Sequence, residues 1–450
     1  MTTPRQAAAT ASGIATALLA GPWRRREAVR RVAVALGHAR APRWVGALVG
    51  EVLDAYRDAP ADRPRELAAF LTSTRGWAQG QAGDVAPRVV RREPVPTRVV
   101  RPRPGLTEVP DLAALARLLD VDQGELAWFA DVRGLERTAP DEALRHYRWR
   151  VVERPGGVRL LAAPKPRLRE IQRRLLRHLV APAPPHPAAH GCVPGHSVRT
   201  AAAPHAGADT VLALDLESFF ASIPAGRVRG VLQGVAGLTE PVAHAVTGLV
   251  TTVVPLAVWR RVPVPEDDAA RDRHARLGRR LAVPHLPQGA PTSPALANLV
   301  CARLDRRLAG LAASAGAVYT RYVDDLFLSG PPALRRPAFA ARVAAIAADE
   351  GFRVHPGKTR SAGRGRRQTV LGAVVNVRPT LPRAERDALR ALLHNCAVSG
   401  WASQVRDRDP ATFREHVLGR VAWASSVDPV LGARLRALAE RIDWGTPGTA

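Results

Sequence analysis

The chain has 450 residues, of which 46% are hydrophobic, so it is long enough for roughly two to four domains with well-filled cores. Lysine and arginine outnumber aspartate and glutamate by 66 to 40, which gives a net charge of +26 at pH 7 and favours a polyanionic partner such as nucleic acid. The three cysteines form no CxxC pair and no stretch is apolar enough to span a bilayer. These features argue against a disulfide framework, a zinc site and a membrane protein, so we expect a cytoplasmic protein.

The first 105 residues are predicted to precede the main packed domain. Residues 1–85 are rich in Ala and Arg, and apolar residues such as Val45, Leu48 and Val49 recur at helical spacing. Residues 86–105 mix Pro, Arg and Val without a period that would bury one face. We therefore expect a helical N-terminal extension followed by an extended basic linker.

From residue 106 onward the sequence has the pattern of an α+β domain. Stretches whose apolar residues alternate as in strands are interspersed with stretches at helical spacing, and turns rich in Gly and Pro separate them. The predicted elements are helices at 112–119 and 126–129, a strand pair at 147–152 and 158–161, a helix at 168–180, an apolar strand at 211–214, a turn and helix at 287–310, a hairpin at 318–329, a strand at 368–376 and helical segments at 382–397 and 411–442.

Asp215 is the first candidate for chemistry. It directly follows the apolar run Val211–Leu214, so it is predicted to stand at the end of a strand buried on both faces. An ionised carboxylate in that position is costly unless a cation meets it. A core salt bridge would meet that need as well as a metal ion would.

Asp324 and Asp325 form the second candidate. Two runs typical of strands flank them, which places the acids at the bend of a hairpin against a core. Two adjacent carboxylates repel each other and lose hydration there, and a divalent cation relieves both costs. Carboxylate oxygens suit Mg²⁺. Together with Asp215 they would hold two such ions, one activating a 3′-hydroxyl and the other stabilising a leaving pyrophosphate.

A third segment, Leu286–Pro294, is a turn rich in Pro and Gly that opens a helix. Thr292 and Ser293 are the predicted caps of that helix. Gly289 next to the amide of Gln288 would let the backbone approach a planar ligand closely. An ordinary loop-to-helix junction is the alternative interpretation.

These segments together resemble the reverse transcriptases. Tyr322-Val323-Asp324-Asp325 is similar to their YxDD box, Asp215–Phe220 is similar to their first catalytic box, and Leu286–Pro294 stands between the two in the expected order. The resemblance implies an RNA-directed DNA polymerase that uses deoxynucleoside triphosphates. It also implies a right-hand α+β fold, with fingers and palm over 106–378 and a helical thumb over 379–450.

The same resemblance implies roles for individual side chains. Gln288 and Gly289 would lie under the incoming nucleotide and the template base. Phe220 would be a steric gate against a ribose 2′-hydroxyl, unless it only packs in the core. Arg159 would reach the triphosphate, since a guanidinium fork suits phosphate oxygens. Lys358 would donate a proton to pyrophosphate, because lysine, unlike arginine, can give up a proton; a plain surface role is the alternative for both cations.

Within that family, residues 112–440 resemble the retron enzymes, for example at His146-Tyr147, Ile171-Gln172-Arg173 and His190-Gly191. This resemblance implies a cognate structured noncoding RNA as template and primer, a branched RNA–DNA product, and a phage-defence system with a separate effector protein. Three segments depart from the retron pattern: Ala201 replaces the Asn of NAxxH, Leu371 replaces the Thr of VTG, and His196 stands where an Arg is usual between Gly195 and Ser197.

Two other interpretations stay open at the level of sequence. One is a bacterial reverse transcriptase without a retron RNA, associated with defence or similar to group II intron enzymes. The other is a non-catalytic RNA-binding scaffold. The intact acids argue against the scaffold, because buried charges without a use are costly.

Overall fold

A computed structural model of the chain describes residues 4–56, 58–60, 63–83, 86–91, 105–131, 134–139, 141–154, 157–406 and 409–445. Most of the predicted linker, residues 92–104, therefore lies outside the described residues, as do Pro155 and Gly156 of the turn between the first two strands. By packing, the chain divides into two compact units. The first contains Met1–His146, Lys165–Ala183 and Ala225–Val250, and the second contains Tyr147–Pro164, Pro184–Pro224 and Thr251–Ala450.

The helices and strands are numbered in chain order. The helices of the first unit are α1 Pro4–Leu19, α2 Arg25–Ala35, α3 Arg43–Ala55, α4 Pro64–Ser73, α5 Arg75–Gln81, α6 Leu112–Leu119, α7 Gln123–Ala130, α8 Pro166–Leu175, α10 Ala225–Gly234 and α11 Glu240–Val250. Those of the second unit are α9 Val198–Ala202, α12 Leu256–Trp259, α13 Asp268–Leu281, α14 Ser293–Val300, α15 Ala302–Ser314, α16 Pro337–Asp349, α17 Arg383–Ser399, α18 Pro410–Val427 and α19 Pro429–Ala439. The strands are β1 Tyr147–Arg154, β2 Gly157–Pro164, β3 Thr210–Asp215, β4 Val318–Tyr322, β5 Asp325–Gly330, β6 Arg360–Gly363, β7 Thr369–Val370 and β8 Ala373–Val374.

The described part of the first unit is helical, and its N-terminal helices share one core. Apolar side chains from α1, α3 and α4, such as Leu18, Leu48 and Leu67, are fully buried together. Helices α3 and α5 pack so closely that a Cβ at Gly76 would collide with the backbone of Leu48. The predicted helical character of residues 1–85 is therefore confirmed for the described residues. No helix in the described ranges is both long and apolar enough to cross a membrane.

The second unit contains the sheet that positions the candidate site. Its strands run in the order β4-β5-β3-β6, and every pairing between neighbours is antiparallel. β3 and β5 are the central strands and are almost entirely buried, as their apolar sequences predict. β1 and β2 form a separate hairpin. The C-terminal helices α17, α18 and α19 pack against β3 and β5 through a core that includes Val211, Phe327, Leu389 and Val417.

Several details of the sequence prediction are wrong. The predicted helix at 411–442 is two helices, because Asp428 leaves helical geometry and caps α19 through the Leu431 N–H. The helix that follows the 287–292 turn is interrupted at Cys301. Thr292 makes no side-chain cap, and the Ser293 hydroxyl instead donates to the carbonyl of Pro287 at 2.7 Å. The strand predicted at 368–376 is a tight hairpin of β7 and β8.

That hairpin turns on Leu371 and Gly372, both of which have positive φ, at 50° and 84°. The domain boundaries at residues 85, 105 and 378 stay a prediction, since the packing units follow compactness and not catalytic subdomains.

Candidate active site

The three predicted carboxylates meet at one end of the four-stranded sheet. Asp215 ends β3 and Asp325 begins β5, and the antiparallel register sets the two residues directly opposite each other. The Leu216 N–H continues the pairing by donating to the Asp324 carbonyl at 2.9 Å. The predicted convergence of acids that are more than a hundred positions apart in the chain is therefore present in the structure.

The bend that carries Asp324 has a specific backbone conformation. Val323 has φ of 58°, in the left-handed region that a β-branched residue rarely adopts. Its carbonyl accepts a hydrogen bond from Arg321 Nη1 at 3.0 Å. On the other side the loop at Gly191 lies so near that a Cβ there would stand 2.6 Å from the Val323 nitrogen. These contacts hold a strained residue immediately before the two acids.

Arg321 belongs to a buried network that the sequence analysis missed. Both Arg321 and Asp305 are fully buried, and Arg321 Nε and Nη2 donate to the two carboxylate oxygens of Asp305 at 2.7 Å each. Arg321 Nη1 also donates to Asn298 Oδ1 at 3.0 Å, and the Tyr319 hydroxyl donates to Asp305 Oδ1 at 2.8 Å. The bidentate geometry satisfies both charges away from water. This network anchors β4 to α14 and α15 directly beside the bend that carries Asp324.

Electrostatics distinguish the acids from one another. Burial raises the pKa of Asp324, and the nearby Asp215 raises it further, against the opposing effect of Lys358 and Arg159. Burial, followed by repulsion from Asp324 and Asp215, raises the pKa of Asp325 to about 7. Like charges that crowd together and lose water hold on to protons unless a cation arrives. A cation close to these carboxylates would therefore stabilise their ionised forms.

Lys358 supplies one positive charge to the cluster by pairing with Asp215. Its Nζ donates to both carboxylate oxygens of Asp215 at 3.0 Å, from the turn Pro356–Lys358 that precedes β6. The His355 N–H donates to the Asp215 carbonyl at 2.7 Å and so fixes this turn beside β3. The sequence analysis predicted Lys358 as a functional residue, and its ion pair with Asp215 brings it into the same cluster.

The donor set suits a hard divalent cation. It consists only of carboxylate oxygens, the ligand type that Mg²⁺ prefers. Burial and, to a smaller extent, repulsion among the carboxylates raise the pKa values of Asp324 and Asp325. Within the part of the chain that the structure describes, no group of three or more His, Cys, Asp or Glu side chains is already arranged as a metal-binding cluster. In this structure both carboxylate oxygens of Asp215 instead accept hydrogen bonds from the Lys358 ammonium.

The two aromatic residues after Asp215 have different environments. Phe219 is buried and stacks on Phe352 with ring centroids 5.6 Å apart. Phe220 is half-buried and begins the turn Phe220–Ser222. Core packing is therefore the role of Phe219, which leaves Phe220 as the candidate for the steric gate. The gate function itself stays a prediction.

Gln288 and Gly289 lie against the β1–β2 hairpin. The Ala162 N–H of β2 donates to the Gln288 carbonyl at 2.8 Å. Gly289 has φ of 126°, and a Cβ there would stand 2.9 Å from the Ala162 carbonyl oxygen. The close approach that requires glycine is thus an approach to β2. Arg159, three residues earlier on β2, is half-buried and near enough to Asp324 to lower its pKa.

Residues Ala201–His205, which correspond to the NAxxH segment, contact the β4–β5 hairpin through His205. His205 is fully buried, and its ring nitrogens hydrogen-bond Ser329 Oγ of β5 and Thr320 Oγ1 of β4, each at 2.7 Å. The Thr320 hydroxyl also contacts the carbonyl of Ala201 at 3.3 Å. Burial, with a contribution from His190, lowers the pKa of His205 to about 4, so the ring is neutral at pH 7. Ala201 is fully buried and contributes through its backbone.

Comparison with known proteins agrees with this site. Residues 150–375, about half of the chain, match the family described as reverse transcriptase (RNA-dependent DNA polymerase). The matched segment includes β1 to β8 except the first residues of β1, and all three acids. The chain therefore belongs to the reverse transcriptase family.

Relatives narrow the assignment. The retron Mx65 reverse transcriptase of Myxococcus xanthus is 44% identical over 297 residues, which cover 66% of this chain and 65% of that protein. The retron Mx162 reverse transcriptase of the same organism is 38% identical over 373 residues, covering 79% of this chain and 70% of the relative. The retron Ec86 reverse transcriptase of Escherichia coli is 29% identical over 293 residues. The chain is of the retron type, as its sequence predicts, and it spans slightly less than two thirds of the length of the Mx65 enzyme.

Proposed function

We propose that this protein is an RNA-directed DNA polymerase that copies a cognate structured noncoding RNA into DNA. The observation that carries the proposal is the meeting of Asp215, Asp324 and Asp325 at one end of the sheet, where burial and, to a smaller extent, their mutual repulsion raise the pKa of Asp324 and Asp325. Enzymes of this family generally use divalent metal ions. The three acids would hold two Mg²⁺ ions, which would supply activation of the primer hydroxyl and charge neutralisation at the triphosphate.

The other side chains would then act on the substrates. Arg159 would contact the triphosphate, and Gln288 with Gly289 would lie below the nucleotide and template base. Phe220 would exclude ribonucleotides. Lys358, once released from Asp215, would donate a proton to the departing pyrophosphate. Each assignment rests on the resemblance. The position of the side chain supports it for Lys358, which is paired with Asp215, and for Arg159, whose charge acts on Asp324.

The fold elements would correspond to the parts of a right-hand polymerase. The β1–β2 hairpin would belong to the fingers, the four-stranded sheet to the palm, and α17–α19 to the thumb. The surplus of basic over acidic residues, 66 to 40, supports binding of RNA and of the RNA–DNA product through phosphate contacts. By analogy with retron enzymes the product would be a branched RNA–DNA hybrid. The protein would act in the cytoplasm within an antiphage system that includes a separate effector protein.

The direct test uses the full chain purified with its bound RNA. Incubation with Mg²⁺ and deoxynucleotides should yield DNA complementary to that RNA, and Asp324→Asn should abolish synthesis without loss of RNA binding. Asp209→Asn is the matched control, since Asp209 lies one residue before β3, away from the catalytic end of the strand. Normal synthesis by Asp324→Asn would contradict the metal-ion mechanism. Bound RNA without any synthesis by the wild type would instead favour the scaffold interpretation.

A further inference from the structure

A second charged cluster begins two residues beyond Asp215. Glu217 is buried, with Arg276 Nε at 3.3 Å from Oε1 and Arg353 Nε at 3.6 Å from Oε2. Arg280 Nη1 donates to the backbone carbonyl of Glu217 at 2.9 Å. The Glu217 carboxylate thus pairs with two guanidinium groups, and a third binds its backbone carbonyl. The cluster retains a surplus of about two positive charges, since arginine stays protonated.

A packed helix holds two of these arginines in place. On α13 the apolar and aromatic positions fall on one side: His274 stacks on Trp259 with centroids 4.5 Å apart, and Leu277 and Leu281 pack into a small core beneath. A Cβ at Gly278 would stand 2.9 Å from the Trp259 ring. The opposite stripe of the helix contains Arg276 and Arg280, as helical periodicity requires.

Arg353 approaches from the other side. The Glu217 N–H donates to the Arg353 carbonyl at 2.7 Å, which extends the pairing of β3 beyond its last residue. Residues in an extended chain advance about 3.3 Å each, so Glu217 lies about 7 Å along the backbone from Asp215. Cross-strand partners lie on the same face, which brings the Arg353 side chain to Glu217. The cluster is therefore within the reach of a substrate bound at the acids.

The charges in this cluster are incompletely compensated. Among the described residues, Glu217 is the one carboxylate within ion-pair distance of Arg276 and Arg353. Burial lowers the pKa of Arg280, and repulsion from Arg276 and Arg353 lowers it further, against the attraction of Glu217. Glu217 Oε2 is buried without a hydrogen-bond partner. The excess positive charge of the three arginines favours an anion, whereas the unsatisfied oxygen of Glu217 is an acceptor and adds nothing to anion binding.

We propose that Arg276, Arg280 and Arg353 form a phosphate-binding site next to the catalytic acids. The inference deepens the proposed polymerase function and rests on it for the identity of the substrates. Guanidinium forks match phosphate oxygens in geometry and charge. The phosphate is contributed either by a nucleotide triphosphate and its pyrophosphate product or by the backbone of the bound nucleic acid. Glu217 keeps the arginines apart and oriented until that anion binds.

The test compares the double variant Arg276→Gln/Arg353→Gln with Arg271→Gln/Arg279→Gln, two exposed arginines on the same helix. The first probe is inorganic triphosphate, titrated calorimetrically into the full chain in magnesium-free buffer. The second is a short RNA–DNA duplex, whose affinity is followed by fluorescence anisotropy against salt concentration. Neither probe requires turnover. A chain that binds phosphate here but makes no DNA would overturn the proposed function and leave this site intact.

A loss of about tenfold or more in triphosphate affinity, confined to the first double variant, identifies the nucleotide as the source. A lower duplex affinity, with a salt slope smaller by about one per lost contact, identifies the backbone. If both affinities match those of the control variant, the proposal is wrong. Arg276→Lys/Arg353→Lys should retain most of the binding, and the single variant Arg353→Gln, at a side chain 54% exposed, supplies the test if the double variant does not fold.

Discussion

Asp215 and Asp325 face each other across the antiparallel pair of β3 and β5, and Lys358 binds only the first of them through both carboxylate oxygens. Asp215 thus has a cationic hydrogen-bond partner, whereas within the described part of the chain Lys358 makes no hydrogen bond to Asp325. The proposed magnesium ions must compete with the Lys358 ammonium for Asp215. The ion pair therefore sets the affinity of the site for metal.

Replacement of Lys358 should make metal binding tighter. In Lys358→Gln the oxygens of Asp215 become available, so the affinity for Mn²⁺, a spectroscopic substitute for Mg²⁺, should rise by about fivefold, the size of a partly solvated charge contact. Electron paramagnetic resonance of free Mn²⁺ measures this without catalysis. Lys165→Gln removes the other lysine of the chain and is the control. Equal Mn²⁺ affinity in both variants would contradict the competition.

Loss of Arg321 should destabilise the second unit and inactivate it. Arg321→Met leaves Asp305 buried without its partner, which costs about 3–5 kcal/mol and releases the Val323 bend. Urea unfolding measures the change in the free energy of unfolding. Arg321→Met/Asp305→Leu should recover much of the stability but not the activity, because the hydrogen bond to Val323 stays absent. Recovery of both would show that the network serves stability alone. Arg271→Met, at an exposed ion pair, is the matched control.

Acid should weaken the fold through His205. The folded pKa is about 4 and the ordinary value is 6.5, so between these pH values the unfolded chain binds more protons than the folded one. The contribution of His205 to stability is complete above pH 6.5, falls as pH decreases toward 4, and amounts to on the order of 3 kcal/mol. In His205→Gln the dependence of the urea midpoint on pH should be shallower over this window. The same slope as in wild type would refute the assignment; His38→Gln, at an exposed ring, should retain the wild-type slope.

The sugar specificity should depend on Phe220 and not on Phe219. Phe220→Ala should lower discrimination against ribonucleotides by about tenfold or more, because the half-buried ring no longer fills the space next to the ribose. Phe219→Leu should lower the melting temperature through its contact with Phe352 and leave discrimination unchanged. Competition between deoxynucleotides and ribonucleotides during single-nucleotide extension measures both. An unaltered preference in Phe220→Ala would remove it from the gate role.

A side chain at position 289 should separate the loop of Gln288 and Gly289 from β2. In Gly289→Ala the new Cβ meets the Ala162 carbonyl and the backbone must keep φ of 126°, which together cost about 1–3 kcal/mol. We expect a lower melting temperature and a higher KM for deoxynucleotides. Gly365→Ala introduces the same group into open space and should change neither quantity. A normal KM in Gly289→Ala would show that the approach to β2 has no part in nucleotide binding.

The catalytic strands were predictable because their signals are local. Apolar runs that precede or follow acids identify β3, β4 and β5 without knowledge of their partners, and the resemblance supplied their order. The buried role of Arg321 was not predictable, since in a chain with 66 basic residues one more arginine within a strand carries no signal of burial. Helix α13 was missed for a similar reason: its apolar stripe is narrow among five arginines.

Other errors arose where the deciding partner is remote in sequence. Pro429 is acceptable at the first turn of a helix, so the end of α18 depends on Asp428 and its contact with Thr380. Likewise the requirement for Gly289 arises from Ala162, more than a hundred residues earlier. Sequence patterns show that a glycine is needed but not which surface requires it.

The hydrogen bond between the Ala162 N–H and the Gln288 carbonyl joins β2 to the loop before α14. Arg159 belongs to that same strand, so the side chain proposed to grip the triphosphate and the loop proposed to lie below the base cannot shift independently. A poorly matched base that lifts the loop would also withdraw the arginine from the phosphates. Fidelity in this enzyme would then depend on this hydrogen bond, because a mismatched base would also misplace the arginine at the phosphates.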